Sequence, residues 1–295
     1  MAVFIKDVIN LKFGFIGAGK VGKSIGVYFK NNGFNIAGYY SKSLESAKEG
    51  ARFTDSIAYD DMRQLIGNVD ILFITTSDDE IKNIVDILYS NSLINNKIVV
   101  HTSGSYSSNI LSPLKELSCF VYSIHPLQSF ADIDNSVENL RNTVFTIEGC
   151  LEKIHVIESI LNKTNNNYFK INSDDKPIYH AGACVISNYL VTLMDFGISF
   201  FESIGIKEKE AFDALYPLID GTIQNVRNLG CNKAITGPIS RGDYKTIQAH
   251  LNAMESSIPS KVDFYKNMAL MTLLLSSKEK LLDEQKIQNI KNILE

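Results

Sequence analysis

Gly17, Gly19 and Gly22 stand in G-x-G-x-x-G order within Gly17-Ala18-Gly19-Lys20-Val21-Gly22, a spacing that suits the pyrophosphate of a dinucleotide. The first glycine turns the chain tightly out of a strand, the second leaves bare backbone for a phosphate, and the third lets a helix pack close to a sheet. The N–H groups opening that helix, with its partial positive charge, add attraction for an anion. The six residues Gly17, Ala18, Gly19, Lys20, Val21 and Gly22 are therefore the expected cofactor loop; the plain alternative is a glycine-rich turn without a ligand. Farther on come Tyr40-Ser41-Lys42-Ser43, where a fold selecting NAD usually carries an acidic residue for the ribose hydroxyl. Ser41 and Lys42 suit a 2′-phosphate that a carboxylate would repel, so NADP is the expected cofactor. The serines also suit a helix cap.

A second group of residues lies where later strands should end. Thr76, Ser103, His101 and His125 all follow apolar runs, and in open α/β sheets ligands bind outside the carboxyl ends of the strands. Thr76 and Ser103 are expected against the cofactor, and His125 is a second-choice substrate residue. A histidine ending a strand is equally often a structural hydrogen-bonding group. In KPIYHAGACVISNYLVTL, His180, Cys184, Ser187 and Asn188 share one helical face. Such polar groups need partners, from a polar substrate or from neighbouring protein. Arg241, in Thr236-Gly237-Pro238-Ile239-Ser240-Arg241-Gly242-Asp243, can clamp a carboxylate through two parallel hydrogen bonds. Asp243 could orient Arg241 or His180, or simply cap the next helix.

The elements needed to position these residues are legible as alternating patterns. A strand over Phe13 to Ile16 precedes the glycines; further strands are expected over FNIAGYYSKS, Val69 to Thr76, Lys97 to Gly104, Phe120 to Phe130, Asn142 to Glu148 and Asn167 to Ile171. A helix over Leu151 to Leu161 separates the last two. After Asn172 the strand signals stop. Helices are expected over Pro177 to Ile204, Lys207 to Leu229, Asp243 to Met254, Pro259 to Lys278 and from Asp283 onward. The fold class expected is α/β: a Rossmann-type dinucleotide-binding domain over residues 1–171, then an all-helical domain over 172–295 for substrate and dimerisation.

Composition narrows the classes. The 295 residues are 45% hydrophobic and 21% charged with a net charge of −4, which suits a globular protein and gives no electrostatic footprint for nucleic acid or an anionic membrane. The four cysteines, Cys119, Cys150, Cys184 and Cys231, lack C-x-x-C or zinc-ligand spacing, so no metal is expected and a reducing cytoplasm fits best. The longest apolar runs are interrupted by Asp195 or too short for a bilayer.

Four motifs carry a resemblance over nearly the whole chain: His101-Thr102-Ser103-Gly104, His125-Pro126-Leu127-Gln128-Ser129-Phe130, Tyr179-His180-Ala181-Gly182-Ala183 through Ser187-Asn188-Tyr189-Leu190, and Thr236 to Asp243. The chain resembles the broad family of small-acid reductases that includes 3-hydroxyacid dehydrogenases, pyrroline-carboxylate reductases and ketopantoate reductases. More closely, it is similar to a bacterial group with a Rossmann-like half and a helical half long labelled a domain of unknown function. That resemblance implies an NADP-dependent oxidoreductase, with an alternative form of ketopantoate reductase as its best-defined activity. Ketopantoate reductases carry a lysine followed at plus four and plus eight by asparagines; His180, Cys184 and Asn188 occupy those places here, so two of the three differ.

The expectation that follows is reduction of a small 2-keto acid by NADPH, ketopantoate to pantoate, in a cytoplasmic homodimer with neither nucleic acid nor membrane as partner. His180 would act as general acid, Asn188 would position the substrate hydroxyl or carbonyl, and Arg241 would hold its carboxylate. The rivals are another NADP-dependent hydroxyacid dehydrogenase or imine reductase of the same architecture, and a non-catalytic NADP-binding sensor.

Overall fold

Apolar β-branched and aromatic runs separated by amphipathic helices build a single eight-stranded sheet in the first half of the chain. The computed structural model describes Val8 and residues 10–295. The strands are β1 (Lys12–Ile16), β2 (Asn35–Tyr40), β3 (Ile57–Tyr59), β4 (Ile71–Ile74), β5 (Ile98–His101), β6 (Phe120–Pro126), β7 (Phe145–Gly149) and β8 (Tyr168–Lys170). Their spatial order is β3-β2-β1-β4-β5-β6-β7-β8. The first six run parallel in Rossmann order, with the topological switch between β1 and β4. β7 then turns back antiparallel to β6, and β8 follows β7 in parallel.

Helices cover both faces, which is why β4 and β5 are buried along their whole length rather than in alternation. On one face Phe13 of β1 packs with Phe29, Phe34 and Phe73, and Phe15 stacks on Tyr39. On the other, Ile16, Leu72 and Val99 meet Leu65, Ile81 and Val85. The helices are α1 (Lys20–Asn31), α2 (Leu44–Thr54), α3 (Met62–Gly67), α4 (Asp78–Ser90), α5 (Ile133–Leu140) and α6 (Ile154–Lys163), with a 3₁₀ segment over Ser108–Leu117. The sequence patterns placed the other strands and α6 within a few residues of their ends. They did not show β3, whose three residues are too short to display a period, nor α3, α5 and the 3₁₀ segment.

Strands give way to helices after Lys170, and Asn172 with Asp175 forms a capping box at the start of the next segment. Helix α7 (Lys176–Glu202) follows, then α8 (Glu208–Leu229), α9 (Cys231–Ala234), α10 (Pro238–Arg241), α11 (Tyr244–Ser257), α12 (Val262–Ser276) and α13 (Glu284–Leu294). The chain separates into two compact units after Ser187, so α7 begins in the first and continues through the second. The second unit's core gathers Ile239, Ile247, Leu251, Leu273 and Ile290. By length and composition, the helical stretch 173–202 could cross a bilayer: its most apolar 18-residue window has a mean hydropathy of 1.5 and is only 6% buried. Helix α7 runs without a break through Asp195, the residue that interrupts its apolar sequence.

Candidate functional site

The glycine loop has the geometry its spacing implies. Gly17 has φ +104°, and a Cβ there would lie 2.8 Å from the backbone of Thr75 and Thr76. At Gly22 a Cβ would come within 2.3 Å of the Gly17 carbonyl oxygen and 2.5 Å of Thr75 Oγ1, so only glycine lets α1 lie this close to β1 and β4. Gly19, by contrast, faces open space. It caps α1 without a side-chain hydrogen bond, and the first turn holds no acidic residue. These N–H groups are therefore presented to an anion rather than to the protein's own carboxylates. Beside them Thr76 Oγ1 is buried without a hydrogen-bond partner, a cost that a bound polar group would remove. A pyrophosphate fits this cradle.

At the end of β2, Ser43 caps α2 by accepting from the Ser46 N–H at 3.2 Å. The capping role foreseen for these serines thus falls to Ser43. Ser41 is half-buried, and exposed Lys42 makes no ion pair among the described residues.

Beyond β4 and β5 the two loops are tied together by Asp78, whose Oδ2 accepts from Ser103 Oγ at 2.9 Å and Ser105 Oγ at 2.6 Å. The Ser103 hydroxyl also accepts from the N–H groups of Ser105 and Tyr106. It is committed to bracing its own loop, a local task that the expectation of a cofactor contact did not include. His101 is likewise structural. Its Nδ1 accepts from the Ser103 N–H at 3.2 Å and its Nε2 donates to the Ser107 carbonyl at 3.1 Å. Burial lowers its pKa to about 4, so the ring is neutral.

His125, which ends β6, is bonded differently. Antiparallel pairing sets it opposite Thr146 of β7. Its Nδ1 lies 2.7 Å from Tyr179 Oη, and Thr146 Oγ1 donates to that same phenolic oxygen at 2.8 Å. Burial, reinforced by the nearby Lys176 cation, lowers its pKa to about 3. Its other nitrogen points toward Gly104. A Cβ at Gly104 would lie 2.8 Å from His125 Nε2 and 2.6 Å from His180 Nδ1. The two rings are nearly perpendicular, with centroids 6.2 Å apart. His180 Nδ1 is buried without a hydrogen-bond partner, and His180 Nε2 is 3.4 Å from Cys184 Sγ. Glycine at 104 is thus what allows two imidazoles to converge.

Lys176, read from sequence only as part of a helix start, is 1% exposed. Its Nζ donates to the Ser103 carbonyl at 3.0 Å. Burial lowers its pKa to about 8, against the opposing pull of Glu148 and Asp78. Glu148 is buried too, and accepts from the Ser108 N–H and from the hydroxyls of Ser108 and Ser173. Two buried charges thus secure the loop that carries Gly104. The pattern along α7 could have exposed Lys176, since it lies four residues before His180 on the same face. No local signal could have found Thr146, whose role depends on the reversal of β7.

Asn188, Arg241 and Asp243 belong to the second unit. Asn188 is exposed, as is Arg241, which makes no ion pair among the described residues. The loop foreseen around Arg241 contains a helical turn, α10, closed by Gly242 in the left-handed region at φ 72°. Asp243 caps α11: its carboxylate accepts from the Thr246 N–H at 3.2 Å and hydroxyl at 2.7 Å, and these bonds hold its pKa below the ordinary value. Among the described residues no cluster of histidine, cysteine, aspartate or glutamate could hold a metal ion.

Residues 5–126 match the model of a Rossmann-like domain, and residues 143–272 match that of a domain of unknown function, DUF2520. The fold is shared with a crystallised protein of Thermotoga maritima at 24% identity and TM-score 0.72, covering 91% of this chain and 100% of that one. A Bacteroides fragilis protein provisionally described as an NADP oxidoreductase is 20% identical with TM-score 0.68, covering 92% and 98% respectively. A pyrroline carboxylate reductase of Plasmodium falciparum, solved with NADP bound, is 14% identical with TM-score 0.58 over 97% and 100%. No curated protein matches the chain.

Proposed function

We propose that this chain is an NADPH-dependent reductase of a small 2-keto acid, with ketopantoate to pantoate as its reaction. The observation that carries the reading is the convergence of His125 and His180 over Gly104, in the same unit as a phosphate-type glycine loop. The NADP bound to the Plasmodium protein of like fold supports the cofactor. Gly17 through Gly22 would hold the pyrophosphate, the free Thr76 hydroxyl a neighbouring polar group, and Ser41 and Lys42 the 2′-phosphate. The bound dinucleotide supplies the hydride.

The chain's own residues orient the carbonyl, polarise it and deliver the proton. His180 would act as the general acid toward the carbonyl oxygen as the carbon gains hydride. Arg241 is assigned to the substrate carboxylate and Asn188 to its oxygen on the chemistry of their side chains. A homodimer belongs to the same proposal, because Ile186, Tyr189, Val191, Leu218 and Met271 leave exposed apolar surface that a second copy would cover. Light scattering should give twice the chain mass; a monomer soluble only in detergent would favour a bilayer instead.

The deciding assay is cofactor oxidation with ketopantoate and either NADPH or NADH. The expected result is turnover with NADPH, at least tenfold slower turnover with NADH, and loss of activity in His180→Ala. Tight NADPH binding without turnover of any keto acid or imine would sink the reductase reading and leave a cofactor-binding sensor.

A further inference from the structure

We propose that Tyr179 and Thr146 lock His125 as its Nε2–H tautomer, and that this makes the site select a carbonyl over an iminium substrate. The inference rests on the reductase reading for its substrate half, while the tautomer stands on geometry.

Thr146 has one hydroxyl proton and two possible acceptors. It lies 2.8 Å from Tyr179 Oη but 3.4 Å from the His125 carbonyl, so the short bond to the phenol takes the proton. With its oxygen already accepting, Tyr179 spends its own proton on His125 Nδ1 at 2.7 Å. That phenol stays protonated, because burial raises its pKa. A neutral imidazole that accepts at Nδ1 carries its hydrogen at Nε2, and Nε2 is the nitrogen beside Gly104 and His180. The reverse arrangement, with Nδ1–H donating to the phenol, would leave a bare lone pair there. His125 thus presents a neutral donor that polarises its partner without surrendering a proton, while the His180 nitrogen on the other side of Gly104 has no hydrogen-bond partner.

Substrate choice follows from what such a donor can meet. A ketone oxygen has lone pairs to accept the N–H bond. An imine is reduced as its iminium, whose nitrogen already carries a proton or carbon at every valence and has no lone pair; the Nε2–H would face it donor to donor. A site built around a hydrogen bond rejects a ligand that cannot complete it. In the favoured case the carbonyl π bond would break, its carbon taking the hydride that a bound reduced nicotinamide would supply as it is oxidised, and its oxygen taking a proton from His180. His125 ends the cycle unchanged. Tyr179 and Thr146 are positioning residues, acting only through His125.

The test uses the full chain with ¹⁵N-labelled histidine. Its five histidines make long-range nitrogen–proton spectra tractable, and His125→Gln identifies the His125 signals. The expected pattern is a protonated Nε2 and an unprotonated Nδ1; in Tyr179→Phe the two signals should move toward a tautomeric average. Thr146→Val, nearly isosteric, should shift them the same way by less and serves if Tyr179→Phe does not fold. In parallel, kcat/KM is compared for ketopantoate and a five-membered cyclic imine. Tyr179→Phe should lower the ketone-to-imine ratio at least tenfold while the Kd for NADPH stays unchanged. A wild-type His125 protonated at Nδ1 overturns the lock whatever the activity, and a wild-type preference for the imine overturns the selectivity. If neither substrate reacts, the reductase reading fails, and the nitrogen spectrum still decides the tautomer.

Discussion

His101 and His125 close adjacent parallel strands, and burial keeps both rings neutral, yet the two strand ends do opposite things with an imidazole. At the end of β5 both ring nitrogens are consumed by backbone, one by the Ser103 N–H and one by the Ser107 carbonyl. At the end of β6 one nitrogen is taken by a phenol and the other lies against Gly104. Residue type, strand position and charge state therefore do not separate a fully satisfied histidine from one with a nitrogen to spare. What separates them is whether the surrounding chain satisfies both nitrogens or only one.

Exchanging the burdens gives the largest expected effect. His125→Ala should lower kcat about 100-fold or more through loss of the donor, with thermal stability changed little. His101→Ala should do the reverse. By leaving the Ser103 N–H and Ser107 carbonyl unpaired around a cavity, it should cost about 2–4 kcal/mol of stability, while kcat of the folded fraction stays within severalfold. Equal kinetic losses in both variants would erase the distinction.

Gly104→Ala sharpens the comparison because the nearest neighbours of its added methyl are His125 and His180. The added methyl would fall 2.6 Å from His180 Nδ1 and 2.8 Å from His125 Nε2, forcing the rings apart. A loss of about tenfold to 100-fold in kcat is expected, with NADPH affinity and the His101 nitrogen signals unchanged. Movement of the His101 signals would mean that the two strand ends are mechanically coupled.

A pH dependence of stability is shared by both. Each histidine has a folded pKa below its unfolded value, falling to about 4 for His101 and about 3 for His125. Below about pH 6.5 the unfolded chain takes up protons that the folded rings refuse. Stability is therefore full above that pH and falls as the solution is acidified toward the folded values. The slope should approach about 1.4 kcal/mol per pH unit for each ring. Urea unfolding of His101→Ala should show about half the wild-type contribution of this pair between about pH 6 and about pH 4.5.

The sequence makes some of this legible and hides the rest for a physical reason. Gly17, Gly19 and Gly22 are readable because backbone clearance is a local property, and the structure fills or opens each position as the spacing implies. His125 and His180 are readable as candidates because strand ends and helix faces follow from short periods. Their convergence is not readable, since it depends on a glycine from the loop after β5. Nor could the sequence separate His101 from His125: His101 is satisfied by Ser103 and Ser107 of its own loop, whereas the partner of His125, Tyr179, lies on a distant segment that no local pattern connects to it. Asp243 shows the converse: its capping role was visible three residues from its partner, Thr246.

The pairing of His125 with Thr146 makes chemistry depend on strand register. Sliding β7 by one residue would set Phe145 or Ile147 opposite the histidine, neither of which has a hydroxyl, and would turn the whole strand to its other face. A misregistered molecule would keep its glycine loop and still take up cofactor, yet its imidazole would be free to change tautomer. In a preparation containing such molecules, the count of cofactor sites would exceed the count of productive ones. The gap between those two titrations would measure folding fidelity at a single strand pair.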